Sequence, residues 1–229
     1  MNKIVKDLVE EIIEKILPSN NKSRIMISLS GIPGSGKTTL VSLIEKELSK
    51  KIKCVALSMD GFHYYKKDLD NFPNPQLAHK RRGAPFTFNV ELFQNKLKEI
   101  FEWKTKEDFI FYPSFDHIDQ DPKENKIKIQ KDHKVIFVEG NYLCLDEPVW
   151  KDLSLYFDYV WFLECDIDVA MKRIYKRHVK AKLCQTLDES IQKTEFNDRP
   201  NAELILEKRI PKGITKFIQS ISEEDENLI

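Results

Sequence analysis

Apolar side chains recur at helical spacing over residues 4–17, where Ile4, Val5, Leu8, Val9, Ile12, Ile13, Ile16 and Leu17 form one stripe. The stripe predicts an amphipathic helix within residues 1–20, ended by Pro18 and Asn20-Asn21. Glu10, Glu11 and Glu14 would repel anionic lipid, so the stripe is expected to pack on the core or against a second subunit in a homodimer. Further along, short apolar runs at 25–29, 54–59, 135–138 and 159–163 predict buried strands, with one more at 109–112. Helical spacing returns over 38–48, again after Asn89, which suits an N-cap, and from about Asp166 onward. Strands alternating with helices predict an α/β fold of three layers around a mostly parallel central sheet.

Two stretches, 73–85 and 114–125, show neither period and are expected to be long loops of the functional kind. No repeat or Gly/Ser linker divides the chain, so residues 1–229 are expected to form a single domain. His79, His133 and His178 read as exposed, and Trp103, Trp150 and Trp161 read as packing residues beside apolar neighbours.

Charge narrows the partners. Lys+Arg and Asp+Glu both number 37, and the formal net charge is zero, so the basic excess of a nucleic-acid motor is missing. Cys54, Cys144, Cys165 and Cys184 are widely spaced, which suits reduced thiols. No apolar run approaches the roughly 20 residues of a membrane helix. The expectation is a soluble cytoplasmic protein, with the nucleus left open, that engages neither membrane nor nucleic acid.

The chemistry starts between the 25–29 strand and the 38–48 helix. Gly31-Ile32-Pro33-Gly34-Ser35-Gly36-Lys37-Thr38 matches G-x-x-x-x-G-K-[ST] at every position, in the strand–loop–helix context the motif needs. Its backbone N–H groups and the helix N-terminus suit phosphate oxygens. Lys37 is expected to bridge β- and γ-phosphates, Thr38 to ligate Mg²⁺, and Thr39 to reach the α-phosphate of ATP. A guanine-nucleotide switch would need D-x-x-G, which is absent from the sequence; Thr105-Lys106-Glu107-Asp108 precedes its apolar run instead of following it. Asp60 and Glu139 each end a strand, where an open α/β sheet places its ligand crevice. One carboxylate can take a hydroxyl proton from an acceptor while the other serves the Mg²⁺ shell.

The phosphate loop, Met59-Asp60-Gly61-Phe62-His63 and Val138-Glu139-Gly140-Asn141-Tyr142 together resemble the phosphoribulokinase/uridine kinase family, across roughly residues 24–202. That resemblance implies a P-loop kinase, with Asp60 as the catalytic base and Thr38 and Glu139 linked to Mg²⁺. Pro113-Ser114-Phe115-Asp116-His117 is similar to the segment carrying aromatic and His contacts to substrate, though it departs from the tyrosine-containing form of uridine kinases. Arg81-Arg82-Gly83-Ala84-Pro85 resembles a further branch of kinase-like proteins. The resemblance also implies a helical lid over about 166–200, with Arg173 and Arg177 on one helix face supplying countercharge to the transferring phosphoryl group.

His63, Arg81, Arg82, Phe115 and His117 are the substrate candidates, the two arginines suiting an acceptor that carries phosphate or carboxylate. The expected activity is γ-phosphoryl transfer from MgATP to a hydroxyl of a nucleoside or related metabolite. A P-loop ATPase or regulatory nucleotide-binding module, and a nucleoside monophosphate kinase, are the competing readings.

Overall fold

The computed structural model describes residues 3–116 and 118–220. In chain order the regular elements are α1 (Lys3–Glu11), β1 (Ile25–Gly31), α2 (Lys37–Leu48), β2 (Cys54–Ser58), α3 (Lys66–Leu69), α4 (Pro75–Lys80) and α5 (Val90–Glu102). Then follow β3 (Phe109–Asp116), β4 (Asp121–Gln130), β5 (Val135–Gly140), β6 (Tyr159–Glu164), α6 (Ile167–Lys180), α7 (Leu187–Lys208) and β7 (Lys216–Gln219).

Five strands form the central sheet in the order β2-β5-β1-β6-β7, and every neighbouring pair is parallel. The alternation of side chains across a strand divides the core into two layers. Ile25, Ile27 and Leu29 of β1, with Val135 and Phe137 of β5, face the side covered by α1 and α2. Met26, Ile136 and Val138 face the opposite side, against residues of α5, α6 and α7. Helices on both faces explain why β1 and β5 are buried at every position, and why they read as mostly apolar runs. The expected three-layer α/β fold is therefore present.

The N-terminal stripe packs inward. Val5, Leu8, Val9, Ile12 and Ile16 join the α1/α2 layer, the helix continuing past Glu11 as one wider turn over Ile12–Ile16. No described helix is long and apolar enough to cross a membrane.

Three expectations give way. Residues 114–125 are not a loop: the 109–112 strand runs on to Asp116 and turns into β4, forming a separate two-stranded antiparallel sheet outside the parallel one. β4 had no strand signature because it carries charge and amide along much of its length, with only Pro122 and Ile129 buried. Residues 73–85 contain α4, started by Asn74, whose side chain accepts from Leu77 N, with Pro75 at the first helical position. His178 is buried, because it continues the face of Met171 and Ile174, and its ring meets Thr194 Oγ1 of α7 at 3.3 Å.

Candidate active site

The register of the parallel sheet brings the predicted carboxylates to the phosphate loop. Ser58 of β2 and Leu29 of β1 both pair with Glu139 at the end of β5. Immediately after β2, Ser58 caps a short 3₁₀ turn over Met59–Phe62 by accepting from Asp60 N at 3.3 Å, so Asp60 emerges on the same sheet edge. The hairpin of β3 and β4 presses on this turn. A Cβ at Gly61 would lie 2.7 Å from Pro113 O, so only glycine lets the strand approach so closely. Tyr112 adds a hydroxyl bond to Ser58 O at 3.1 Å.

The phosphate loop is shaped from behind by its buried members, Gly31, Ile32 and Ser35, while Pro33, Gly34, Gly36, Lys37, Thr38 and Thr39 line a cavity of about 640 Å³. Gly34 has φ +78°, and a Cβ there would stand 2.4 Å from Ala170 O of α6. The loop therefore seats directly on α6. Lys37 Nζ donates to Ile32 O at 2.8 Å and to Ser35 Oγ at 3.5 Å. Burial lowers its pKa to about 8 despite the pull of Glu139 and Asp60. Thr38 Oγ1 donates to Glu139 Oε1 at 3.1 Å. Burial, and then the neighbouring Asp60 carboxylate, raise the Glu139 pKa, while Lys37, Ser58 and Thr38 oppose the rise. A hydroxyl and carboxylates at one loop end are hard oxygen donors of the kind Mg²⁺ takes alongside substrate phosphates.

A second cavity of about 780 Å³ adjoins the first. Thr38, Asp60, His63, Glu139, Arg177 and Asp198 line both, and so form the wall the two share. His63 is fixed by its Nδ1 contact to Asp60 O at 2.8 Å and by rings on two sides, Phe88 at 3.9 Å and Phe115 at 4.8 Å between centroids. Burial lowers its pKa, which favours the neutral ring.

The remaining candidates separate. Arg82 lines the second cavity, where its Nη2 pairs with Asp121 Oδ1 at 3.0 Å and its guanidinium lies 5.9 Å from the Phe115 ring centroid. Arg81 lines neither cavity; its Nη2 donates to Asn201 Oδ1 at 2.9 Å, a strut between the loop and α7. Phe115 lines the second cavity, and His117 falls outside the described residues. On α6, whose N-cap Asp166 accepts from Asp168 N and Val169 N, Arg173 and Arg177 both line the first cavity. Arg173 donates to Ser220 Oγ at 2.8 Å, and Ser220 in turn donates to Ser35 O at 2.7 Å, which links α6, the residue following β7 and the phosphate loop.

Sequence reasoning missed Asp198. It sits on α7 in the shared wall, where burial raises its pKa to about 6, partly offset by Arg177, Lys193 and Arg81. The available signal was the buried polar stripe of α7. Ser190, Thr194, Asn197 and Asn201 recur every three or four residues, and Asn197 Nδ2 donates to Arg82 O at 2.8 Å.

The pattern of the Phosphoribulokinase / Uridine kinase family matches residues 26–206. A Schizosaccharomyces pombe protein named as a candidate uridine kinase is 35% identical over 188 residues, covering 81% of this chain and 79% of that protein. The ATP-dependent kinase YFH7 of Kluyveromyces lactis is 32% identical over 185 residues, 64% of this chain and 52% of that longer protein. Among solved structures, a candidate fructose transport system kinase from Silicibacter superposes with a TM-score of 0.81 at 28% identity, over 95% of this chain and 100% of that one. The chain belongs to the phosphoribulokinase/uridine kinase family of P-loop kinases.

Proposed function

We propose that the protein transfers the γ-phosphoryl group of ATP, with Mg²⁺, to a hydroxyl of a nucleoside or related small metabolite. The observation that carries this reading is the shared wall: a phosphate-loop cavity and a second cavity meet at Asp60, Thr38, Glu139 and Arg177. An ATPase needs only the first cavity. The relatives named as kinases support the reading.

In this account the acceptor hydroxyl lies in the second cavity against Asp60, and the triphosphate lies along the loop. Asp60 takes the hydroxyl proton as the acceptor oxygen forms its bond to the γ-phosphorus. The bond between that phosphorus and the β–γ bridging oxygen breaks, and ADP leaves. Lys37 and Arg177 hold the phosphoryl oxygens, and a guanidinium fork matches charge spread over them. Thr38 and Glu139 would hold Mg²⁺, which supplies charge neutralisation on the β- and γ-phosphates. Neutral His63 orients the acceptor by hydrogen bonding, and Phe88 and Phe115 limit the ring's motion.

Asp60→Asn tests the assignment. Acceptor-dependent turnover should fall by about 100-fold or more, the range of a lost general base, while binding of a fluorescent ATP analogue stays within about twofold. Undiminished turnover would remove Asp60 from the mechanism.

A further inference from the structure

The last strand reaches the phosphate loop through one hydroxyl. β7 lies at the edge of the sheet and pairs with β6, its register closing with Gln219 opposite Glu164. Ser220 follows directly. Its N donates to Glu164 O at 2.8 Å, and Gln219 Nε2 donates to Glu164 Oε2 at 2.6 Å. Ile218 is buried in the α1/α2 layer. These anchors fix the backbone of Ser220 although it stands past the strand's end.

From that place Ser220 Oγ makes two hydrogen bonds of opposite sense. It donates to Ser35 O at 2.7 Å and accepts from Arg173 Nη1 at 2.8 Å. A carbonyl only accepts and a guanidinium only donates, so the hydroxyl proton is committed to the loop and the lone pair to α6. Arg173 lines the phosphate cavity, and Ser220 stands behind its wall.

The bond to Ser35 O acts on the next residue. The peptide joining Ser35 to Gly36 is trans, so its C=O and N–H point in opposite directions. Holding the C=O toward Ser220 turns Gly36 N–H away from Ser220, toward the cavity that Gly36 lines. Gly36 has φ +96°, and glycine is the residue least able to hold a peptide plane by its own sterics. The constraint has to come from outside the loop. Gly36 N–H donates to no backbone group among the described residues, and an N–H so aimed is a phosphate donor.

We propose that Ser220 is a positioning residue for the triphosphate: its one hydroxyl aims Gly36 N–H and holds the Arg173 guanidinium at the phosphate cavity. The proposal rests on the nucleotide half of the kinase reading and is independent of the acceptor and of Asp60. It makes the edge strand part of the nucleotide site. By linkage, whatever Ser220 contributes to nucleotide binding, the nucleotide returns to the docking of β7.

Full-length protein and the variants Ser220→Ala and Ser220→Thr are compared by competition against a fluorescent ATP analogue. The competitors are a non-hydrolysable ATP analogue with Mg²⁺, and AMP, which carries the α-phosphate alone. Ser220→Ala should weaken the triphosphate by about three- to tenfold and leave AMP within about twofold. Ser220→Thr keeps the hydroxyl and should recover most of the loss. On an Arg173→Ala background, Ser220→Ala should cost less than it does in the wild type, because one of its two bonds is already gone. Hydrogen exchange read by mass spectrometry should slow over residues 216–220 when the triphosphate analogue binds the wild type, and slow less in Ser220→Ala. Unchanged triphosphate affinity in Ser220→Ala overturns the proposal. So does an equal loss for AMP, which is the signature of a merely structural role, or a threonine variant no better than alanine, or strictly additive losses with Arg173→Ala. None of these titrations needs an acceptor, so failure of this proposal and failure of phosphoryl transfer at Asp60 are told apart.

Discussion

Replacing Asp198 by asparagine should make the protein more stable, by an amount that grows with pH. Asp198 lies on α7 in the wall of both cavities, and burial raises its carboxyl from an ordinary 3.8 to about 6. A folded-state pKa above the unfolded value means that folding favours the protonated form. The stability this group allows is therefore fully present below about pH 4 and is lost as pH rises through 6. A rise of that size corresponds to about 3 kcal/mol at pH 8, and to about half of that at pH 5, where the folded carboxyl is still mostly protonated.

The facing cations, Arg177, Lys193 and Arg81, pull the other way and are already reflected in the value near 6. Asparagine is neutral throughout and nearly the same shape, so Asp198→Asn should gain about 1.5 kcal/mol more at pH 8 than at pH 5. For a chain of this size that is an extra rise of about 3–6 °C in Tm. Urea or thermal unfolding of both proteins at the two pH values measures it. An advantage that is independent of pH, or that shrinks toward pH 8, would refute the argument. A carboxylate kept at such a cost in the wall of both cavities is a candidate substrate contact.

Other consequences are shorter. Lys37→Ala should cut kcat/KM for ATP by about 100-fold or more without unfolding the chain, and wild-type nucleotide affinity should weaken as pH rises past about 8, where the buried ammonium loses its proton. Glu139→Gln should raise the Mg²⁺ concentration needed for half-maximal rate, which a metal titration would show; an unchanged requirement would exclude Glu139 from the metal shell. Arg177→Ala should lower kcat by about 10–1,000-fold with a much smaller change in ATP affinity, and lysine should rescue it only partly. Arg173→Ala should be the milder lesion in side-by-side kinetics, because Arg173 is anchored to Ser220 while Arg177 stands in the wall between the cavities.

What could be read from the sequence follows from how local each feature is. The phosphate loop, the strand-end positions of Asp60 and Glu139 and the N-cap of Asn89 depend on a few consecutive residues and their immediate context, and they stand where the pattern places them. β4 depends on a partner: Asp121–Gln130 has little apolar content and becomes a strand by pairing with β3, an antiparallel register that no periodicity in 114–125 announces. The α7 stripe failed for the opposite reason. Ser190, Thr194, Asn197 and Asn201 look solvated by composition, yet they are buried, each with a hydrogen bond to Arg81, the Arg82 carbonyl or α6. Pro200, of a residue type that ordinarily kinks or ends a helix, lies inside α7. His178 was masked by its basic neighbours, although its spacing from Met171 and Ile174 set it on the buried face.

The central claim is that phosphoryl transfer crosses the shared wall into a second cavity. A single-turnover reaction with γ-³²P-ATP, Mg²⁺ and an acceptor mixture follows the label directly. The account predicts label on an organic acceptor, formed at a rate that depends on acceptor concentration and is lost in Asp60→Asn. Label appearing only as inorganic phosphate, at a rate indifferent to acceptor and to Asp60, would contradict it.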